Sequence, residues 1–330
     1  MEIVSWNIIK YNIFSSTGGP NLYGTEPWTF YFKNLLLNFN IWFILALLSL
    51  PLFFLQKLFS RRAAGESFQS GLRTLVFLSP FYMWLAIFTL QPHKEERFMY
   101  PAYPFLALNA ALALHTLLTF FGNLAPSLLP AKVKLAVVAL GLLAAINLGL
   151  LRVAGIYSAY HAPLSLYTPL SDPAVAHAGD TVCFGKDWYR FPSSYFLPRD
   201  MHAKFVRSDF RGLLPGEFSE ARTGFGFWSG TWLPTGAEFN DRNEEDPGKY
   251  VDLRACVFLV DSQFPGRETS RNEPDYVADE EKWEVVKCEP FLDAERTGFL
   301  ARALWVPEWE VVPERWRRKW GRHCLLKRRK

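Results

Sequence analysis

The chain has 330 residues, of which 50% are hydrophobic and 16% aromatic, yet its mean hydropathy is only +0.01 and its net charge +4. This average conceals two kinds of sequence, because few of the 32 acidic residues precede residue 152: Glu2, Glu26, Glu66, Glu95 and Glu96. A soluble core of about 150 residues would carry roughly a quarter charged residues. The composition therefore excludes a single soluble globular domain and indicates that the first half lies in lipid.

Four segments of the first half are apolar and approach the roughly 20 residues that a helix needs to cross a bilayer. They are Leu35 to Leu55, Leu75 to Leu90, Met99 to Phe121, and Val133 to Leu151. Prolines lie within or at the ends of these segments, which helices in a membrane bundle tolerate. We predict a polytopic α-helical membrane protein with about four transmembrane helices at residues 35–151, preceded by a lumenal or interfacial segment at residues 1–34.

Basic residues in short connections predict the orientation, because positively charged loops stay in the cytosol. The first and third connections carry such residues at Lys57, Arg61, Arg62, Arg73, Lys132 and Lys134. Four crossings then place the hairpin at residues 93–98 and both chain ends on the opposite side, which in a eukaryotic cell is the lumen of the endoplasmic reticulum. We therefore predict a multi-pass protein of the endoplasmic reticulum membrane, with residues 152–330 in the lumen.

The polar second half contains short apolar runs that are separated by turn-forming residues. Asp180–Gly185, Arg254–Asp261 and Trp283–Cys288 are predicted strands, and Phe225–Gly230 and Asn240–Gly248 are predicted loops between them. Residues 152–330 are therefore predicted to form a small mixed α/β domain. We interpret the basic stretch from Arg315 to Lys330 as a tail that contacts anionic lipid head groups or acidic protein surfaces, and we expect no nucleic-acid partner.

All four cysteines lie in the polar half, at Cys183, Cys256, Cys288 and Cys324. Their spacing contains no pattern of metal ligands. They form disulfides if this half lies in an oxidising lumen, and free buried thiols are an equally good interpretation of the sequence.

The densest polar cluster near the predicted helices is the hairpin His93-Lys-Glu-Glu-Arg-Phe98. Ionisable groups at a bilayer surface are costly unless they pair or hold a charged ligand. Lys94 and Arg97 are suited to a phosphate, and His93 could donate to an oxyanion or shuttle a proton. The alternative is a solvated loop whose charges pair with one another.

This hairpin resembles the His-Lys-Glu-x-Arg-Phe signature of mannosyltransferases that use dolichyl phosphate mannose as donor. Further stretches are similar to one group within them, the α-1,2-mannosyltransferases of asparagine-linked glycan precursor assembly, in the Alg9-like mannosyltransferase family. These stretches are Tyr23-Gly-Thr-Glu-Pro-Trp28, Leu37-Asn-Phe-Asn40, Gly185-Lys-Asp-Trp-Tyr-Arg-Phe-Pro-Ser-Ser194, Gly230-Thr-Trp-Leu-Pro-Thr-Gly236 and Phe291-Leu-Asp-Ala294. The resemblance covers nearly the whole chain.

The resemblance implies an inverting transfer of mannose, in α-1,2 linkage, from dolichyl phosphate mannose to a dolichol-linked oligosaccharide for protein N-glycosylation. His93, Lys94 and Arg97 would bind the donor phosphate, and Glu95 and Glu96 would orient these cations. Because cations would take the place of a metal, we expect neither a metal ion nor another cofactor. Family members carry acidic residues in a lumenal loop after their first span, and no such loop precedes Trp6, so we expect no catalytic base in this chain.

Two other groups of residues are candidates for binding the acceptor. Tyr23, Glu26 and Trp28 precede the first predicted span, where an aromatic belt at the membrane surface is an equally good interpretation. Lys186, Trp188 and Arg190 follow the first predicted strand, where packing against other loops is the alternative. Two other functions stay open: a mannosyltransferase of glycosylphosphatidylinositol-anchor assembly, or a non-catalytic membrane module that binds a lipid-linked sugar.

Overall fold

A computed structural model describes residues 3, 6–7, 10–11, 19–59, 68–124, 130–216 and 242–329. The chain divides into two compact units, Met1–Leu150 and Leu151–Lys330. Several parts of the sequence argument lie outside the described residues, namely Arg61, Arg62, the predicted loop Phe225–Gly230, the stretch Gly230–Gly236 and the first residues of the predicted loop Asn240–Gly248.

The N-terminal unit is built from helices. They are α1 (Phe30–Phe39), α2 (Ile41–Phe59), α3 (Phe68–Leu90), α4 (Tyr103–Leu124) and α5 (Ala131–Tyr160), whose last turns belong to the C-terminal unit. Short 3₁₀ helices occupy Pro20–Tyr23 and Glu96–Ala102. Among the described residues, four stretches are long and apolar enough to cross a membrane: Ile41–Leu58, Gly71–Leu90, Glu96–Leu124 and Ala131–Tyr160. This confirms the prediction of about four transmembrane helices.

The predicted bounds of these helices were wrong at several ends. The first span begins at Ile41 instead of Leu35, because Asn40 has a positive φ of 47° that separates α1 from α2. Asparagine tolerates this conformation, and its Oδ1 accepts the N–H of Ile41 at 2.8 Å. The second span begins at Gly71 instead of Leu75, within a helix that starts at Phe68.

The predicted third span began inside a different element. Met99 lies in the 3₁₀ helix Glu96–Ala102, and the α-helix starts only at Tyr103. Pro104 follows at the first turn of α4, where a residue without an N–H costs least. The helix of the fourth span, α5, continues past Leu151 to Tyr160. Pro163 is the first proline that follows, so no proline ends the helix earlier.

The core of the N-terminal unit combines apolar packing with interhelical hydrogen bonds. Its most buried large side chains include Tyr31, Leu35, Phe81, Met99 and Leu106. The hydroxyl of Tyr82 on α3 lies 2.9 Å from each of the carbonyl oxygens of Ala46 and Leu47 on α2. Asn109 on α4 donates to the carbonyl of Leu78 at 3.1 Å. Such bonds hold membrane helices together where apolar side chains alone give little preference over lipid.

In the described residues of the C-terminal unit, five strands form one sheet. Its strands are β1 (Thr181–Phe184), β2 (His202–Phe205), β3 (Phe258–Gln263), β4 (Trp283–Leu292) and β5 (Trp320–Arg328), in the spatial order β2-β1-β3-β5-β4. β1 pairs in parallel with β2 and β3, whereas β5 is antiparallel to β3 and β4. Short helices connect the strands: α6 (Ala162–Ser165), α7 (Phe299–Ala303), and 3₁₀ turns at Thr168–Ser171, Trp188–Arg190, Ser194–Phe196, Pro247–Lys249, Leu253–Ala255 and Glu314–Trp316.

The interpretation of Arg315–Lys330 as a tail was wrong. Most of this stretch is β5, an internal strand between β3 and β4. Cys324, Leu325 and Leu326 are fully buried, while Lys327 donates to the carbonyl of Val175 at 2.6 Å. Basic residues on both sides of the short buried segment of β5 gave this stretch the composition of an exposed tail. Its pairing partners, β3 and β4, lie far away in the sequence. β2 was also missed, and β3 begins at Phe258, after a 3₁₀ turn, instead of at Arg254.

All four cysteines are paired, which resolves the alternatives that the sequence left open. Cys183 on β1 bonds to Cys256, and Cys288 on β4 bonds to Cys324 on β5. The first disulfide joins β1 to the segment that leads into β3, and the second links two neighbouring strands. Disulfides of this kind form and persist in oxidising compartments.

Candidate functional site

The segment before α1 lies beside the charged hairpin between α3 and α4. The N–H of Glu26 donates to the carbonyl of Pro92 at 3.0 Å. The carbonyl of Gly24 accepts a hydrogen bond from Nδ1 of His93 at 2.8 Å. Gly24 has a φ of +105°, a backbone conformation that residues other than glycine rarely adopt. Main-chain groups of residues 24–26 thus fix the start of the hairpin.

Lys94 is the most enclosed cation of the hairpin, with only 7% of its surface exposed. Its Nζ donates to the carbonyl of Glu26 at 2.9 Å and also to the carbonyl of Gln91. An ammonium group has three donors, so the contacts among the described residues leave one for a further ligand. Lys94 therefore holds the segment before α1 against the hairpin and places a positive charge behind it.

Arg97 is the exposed cation of the hairpin, with 67% of its side chain accessible. Glu95 aligns it through two contacts, 2.8 Å from Nη2 to Oε1 and 2.5 Å from Nε to Oε2. Nε2 of His93 lies 3.2 Å from the same carboxylate. Both ring nitrogens of His93 thus lie within hydrogen-bond distance of oxygen atoms. Glu95 thus contacts both His93 and Arg97, and its expected role in orienting them for a donor stays a prediction.

Glu96 has a different environment from Glu95. Its Oε1 accepts a hydrogen bond from Nδ2 of Asn38 on α1 at 2.9 Å. The hydroxyl of Tyr31, also on α1, donates to the carbonyl of Glu95 at 3.1 Å, and burial raises the pKa of Tyr31 to about 12, which keeps it a donor. Glu96 thus ties the hairpin to α1, and its expected role in orienting the cations stays a prediction.

The first group of acceptor candidates lies in the N-terminal unit next to this hairpin. Tyr23 ends a 3₁₀ helix and Trp28 precedes α1, and both rings are more than half exposed. Trp28 packs edge-on against Phe32 with ring centroids 5.7 Å apart. Glu26 is exposed and contacts the hairpin through its main chain. The structure therefore brings these three candidates to the proposed donor site.

The second group, Lys186, Trp188 and Arg190, lies in the C-terminal unit after β1. Lys186 pairs with Asp261 of β3 at 2.9 Å. Arg190 pairs with Asp187 and donates from Nη1 to the hydroxyl of Ser262 at 3.0 Å. Trp188 stacks against Phe210 with centroids 4.7 Å apart. These contacts give all three side chains a packing role that does not depend on a ligand.

Sequence reasoning missed Ser262 and His323, which belong with Asp187 to the buried polar residues around Arg190. Asp187, Asp261 and Ser262 are at most 2% exposed, and His323 on β5 is fully buried with its Nδ1 2.7 Å from the Ser262 hydroxyl. Burial lowers the pKa of His323 to about 4, so the ring is neutral. Burial also raises the pKa of Asp261 to about 7 in spite of its pairing with Lys186. Asp187 and Asp261 were visible beside predicted strands, whereas nothing in the sequence pointed to Ser262 or His323.

These observations define a class of protein: a multi-pass membrane protein with a charged hairpin between two spans and a disulfide-bonded C-terminal unit. The model of the Alg9-like mannosyltransferase family matches residues 1–198. The chain belongs to this family, which confirms the resemblance drawn from the hairpin signature and the stretches around it.

Similar proteins extend this match over almost the whole chain. The alpha-1,2-mannosyltransferase alg9 of Schizosaccharomyces pombe is 39% identical over 333 residues, which cover 99% of this chain and 55% of that protein. The human alpha-1,2-mannosyltransferase ALG9 is 40% identical, over 93% of this chain and 50% of its own length. The corresponding Saccharomyces cerevisiae protein is 35% identical, over 98% and 56%. The chain thus spans about half the length of these relatives. No solved structure matches it.

Proposed function

We propose that this chain takes part in the transfer of mannose from dolichyl phosphate mannose to a dolichol-linked oligosaccharide, in α-1,2 linkage, for protein N-glycosylation. Membership of the Alg9-like family and relatives that are named alpha-1,2-mannosyltransferases support this proposal. The same names favour it over the glycosylphosphatidylinositol alternative.

We place residues 93–98 and the C-terminal unit in the lumen of the endoplasmic reticulum. The two disulfides, Cys183–Cys256 and Cys288–Cys324, support this side because cytosolic thiols are kept reduced. Four spanning helices return the chain to the side from which it entered the first, in agreement with basic connections on the cytosolic side.

The geometry of Arg97 carries the proposal of a donor-phosphate site. Its guanidinium is exposed in the 3₁₀ helix that precedes α4. Within the described part of the chain, its hydrogen bonds all go to Glu95. A guanidinium has five N–H donors, so this pairing fixes the fork and leaves donors for phosphate oxygens. Lys94 adds a positive charge and, as far as the described residues show, one remaining donor, and His93 adds a ring that Glu95 contacts at 3.2 Å.

The chemistry follows from the two anomeric configurations. A β-linked mannosyl phosphate that yields an α-linked product requires inversion by one in-line displacement at the anomeric carbon. The bond from this carbon to the phosphate oxygen breaks, and the acceptor hydroxyl forms the new bond and loses its proton to a base. Arg97, Lys94 and His93 stabilise the charge that develops on the leaving phosphate. We assign no residue of this chain as the base.

Replacing Arg97 tests this proposal in the full-length protein. Charge-assisted hydrogen bonds contribute about 1.5–3 kcal/mol each, so Arg97→Ala should lower kcat/KM for the donor by about a hundredfold. The matched control is Arg271→Ala, at an exposed arginine of the C-terminal unit. The assays are mannosyl transfer with purified protein and growth of Saccharomyces cerevisiae cells that lack their ALG9. Wild-type donor affinity and turnover in Arg97→Ala would show that the phosphate role is wrong.

A further inference from the structure

The C-terminal unit contains an open cavity of about 300 Å³ next to Arg190. Two sequence stretches that lie about a hundred residues apart form much of its wall. Tyr189 and Arg190 come from the stretch after β1, and Phe291 and Asp293 come from the end of β4 and the residues after it. Both stretches had been noted for their resemblance to the family, but nothing in the sequence placed them together.

The walls of this cavity are aromatic, and two of the rings face solvent. Tyr189 is 61% exposed, and Tyr160 at the end of α5 is also exposed. Phe291 forms the buried floor, with its centroid 5.3 Å from that of Tyr160 and 6.3 Å from that of Phe264. Small-molecule sites are typically concave, aromatic-lined and at least about 300 Å³ in volume. An exposed tyrosine face over a buried ring offers a flat apolar surface of the kind on which a sugar ring stacks.

Arg190 supplies polar groups between these rings. Its guanidinium carbon lies 4.6 Å from the centroid of Phe291 and 5.0 Å from that of Tyr189. Among the described residues, its hydrogen bonds to Asp187 and Ser262 both use Nη1. The other N–H groups of the guanidinium therefore remain as donors at a fixed position, because the buried partners hold the side chain rigidly.

The charges around the cavity are balanced within the protein. Arg190 is paired with Asp187, Arg267 lies 3.2 Å from Glu295, and the charge of Arg296 is matched by that of Asp293 in the same cavity wall. A phosphate would have to compete with these existing partners. A neutral polyhydroxyl compound needs only the remaining donors and acceptors, so the cavity suits a sugar better than an anion.

We propose that this cavity binds a mannose residue of the oligosaccharide acceptor, stacked on Tyr189 and hydrogen-bonded by Arg190. The choice of mannose rests on the proposed function, whereas the choice of a neutral sugar rests on the cavity itself. A site of this kind in the C-terminal unit would hold a branch of the acceptor and thereby select which oligosaccharide is extended.

The direct test is binding of α-1,2-mannobiose to the purified full chain in detergent, measured by saturation-transfer NMR with maltose and inorganic phosphate as competing probes. Tyr189→Ala should weaken mannobiose binding about tenfold, equivalent to about 1.4 kcal/mol, and Tyr189→Phe should retain it. The matched control is Tyr195→Ala, since Tyr195 is 98% exposed and lies outside the cavity wall. Equal binding by Tyr189→Ala and wild type, preferential binding of phosphate or maltose, or absence of mannobiose binding would overturn the proposal.

A second measurement separates this proposal from the proposed function. In mannosyl transfer by the full-length protein, Tyr189→Ala should raise the KM for the acceptor and leave the KM for the donor unchanged. An unchanged acceptor KM would refute the cavity as an acceptor site while transfer stands. Mannobiose binding that depends on Tyr189, in a protein that transfers no mannose, would refute the proposed function and leave the sugar site in place.

Discussion

Arg318 holds the last turns of α5 against the end of the chain, and its removal should destabilise the C-terminal unit. The side chain is only 6% exposed. It donates to the carbonyl oxygens of Ala301, Gly155 and Leu304 at 3.1–3.2 Å and to the hydroxyl of Ser158 at 2.5 Å. Gly155 is part of this contact, because a Cβ there would lie 2.8 Å from the main-chain nitrogen of Trp305.

The magnitude follows from the groups that lose a partner. Arg318→Met keeps an unbranched apolar stem but leaves three carbonyl oxygens without this donor, at about 1 kcal/mol or more each. A loss of roughly 3 kcal/mol corresponds to a fall in Tm of about 6 to 12 °C for a unit of this size. Arg315→Met is the matched control, because Arg315 is exposed and lies over the ring of Trp316. Its effect should be within about 0.5 kcal/mol.

The assay is thermal unfolding of the purified protein in detergent, followed by near-ultraviolet circular dichroism of the aromatic side chains. Arg318→Lys keeps the charge but not the planar fork, so its Tm should fall between those of wild type and Arg318→Met. If Arg318→Met melts within about 2 °C of the Arg315→Met control, the four hydrogen bonds of Arg318 do not stabilise this junction.

Two further predictions concern the core of the same unit. Because burial lowers the pKa of His323 from 6.5 to about 4, the unfolded chain binds more protons between these values. The contribution of His323 to folding stability should therefore fall by about 2 kcal/mol from pH 7 to pH 5. Thermal unfolding of wild type and His323→Gln should be compared over this pH range, and His323→Gln should lack the His323 contribution. Asp261 contributes in the opposite sense, because its raised pKa favours the folded state at low pH. This second contribution is present in both proteins. Equal pH dependences in the two proteins would contradict the reasoning. Removing the Cys183–Cys256 disulfide, which spans 73 residues, by replacing both cysteines with alanine should cost about 4 kcal/mol in chemical denaturation under oxidising conditions, and unchanged stability would refute this.

The membrane spans could be predicted because hydrocarbon sets both their length and their composition. Their ends could not, since the sequence stays apolar across the break at Asn40, and only the conformation of that residue separates α1 from α2. In the C-terminal unit the buried strands β1 and β3 had a recognisable apolar pattern. β5 lacked it, because its buried segment His323–Leu326 lies between Arg322 and Lys327 and its pairing partners are distant in sequence. Four cysteines allow three pairings, among which the sequence could not choose.

The hairpin charges could be predicted as a group because their cost at a membrane surface is a property of residue type. Their separate roles depend on where main-chain carbonyls point, which no side-chain pattern encodes. Lys94 and Arg97 are both basic residues of the same short segment. Lys94 nevertheless donates to main-chain carbonyl oxygens, whereas Arg97 is exposed to solvent. The same limit applied to Arg190, whose rigidity comes from Ser262, 72 residues further along the chain.

The two candidate sites share a carboxylate–arginine pair but differ in how exposed the arginine is. In each, a carboxylate fixes an arginine through part of its fork: Glu95 holds Arg97, and Asp187 holds Arg190. Arg97 is exposed and Arg190 is enclosed by aromatic rings. A phosphate bound to the exposed Arg97 would keep part of its hydration shell. A charged ligand at Arg190 would lose more of its hydration, and Arg190 already has a carboxylate partner, so the desolvation cost would be larger there. The difference in burial therefore supports our two proposals, a phosphate at the hairpin and a neutral sugar in the C-terminal unit.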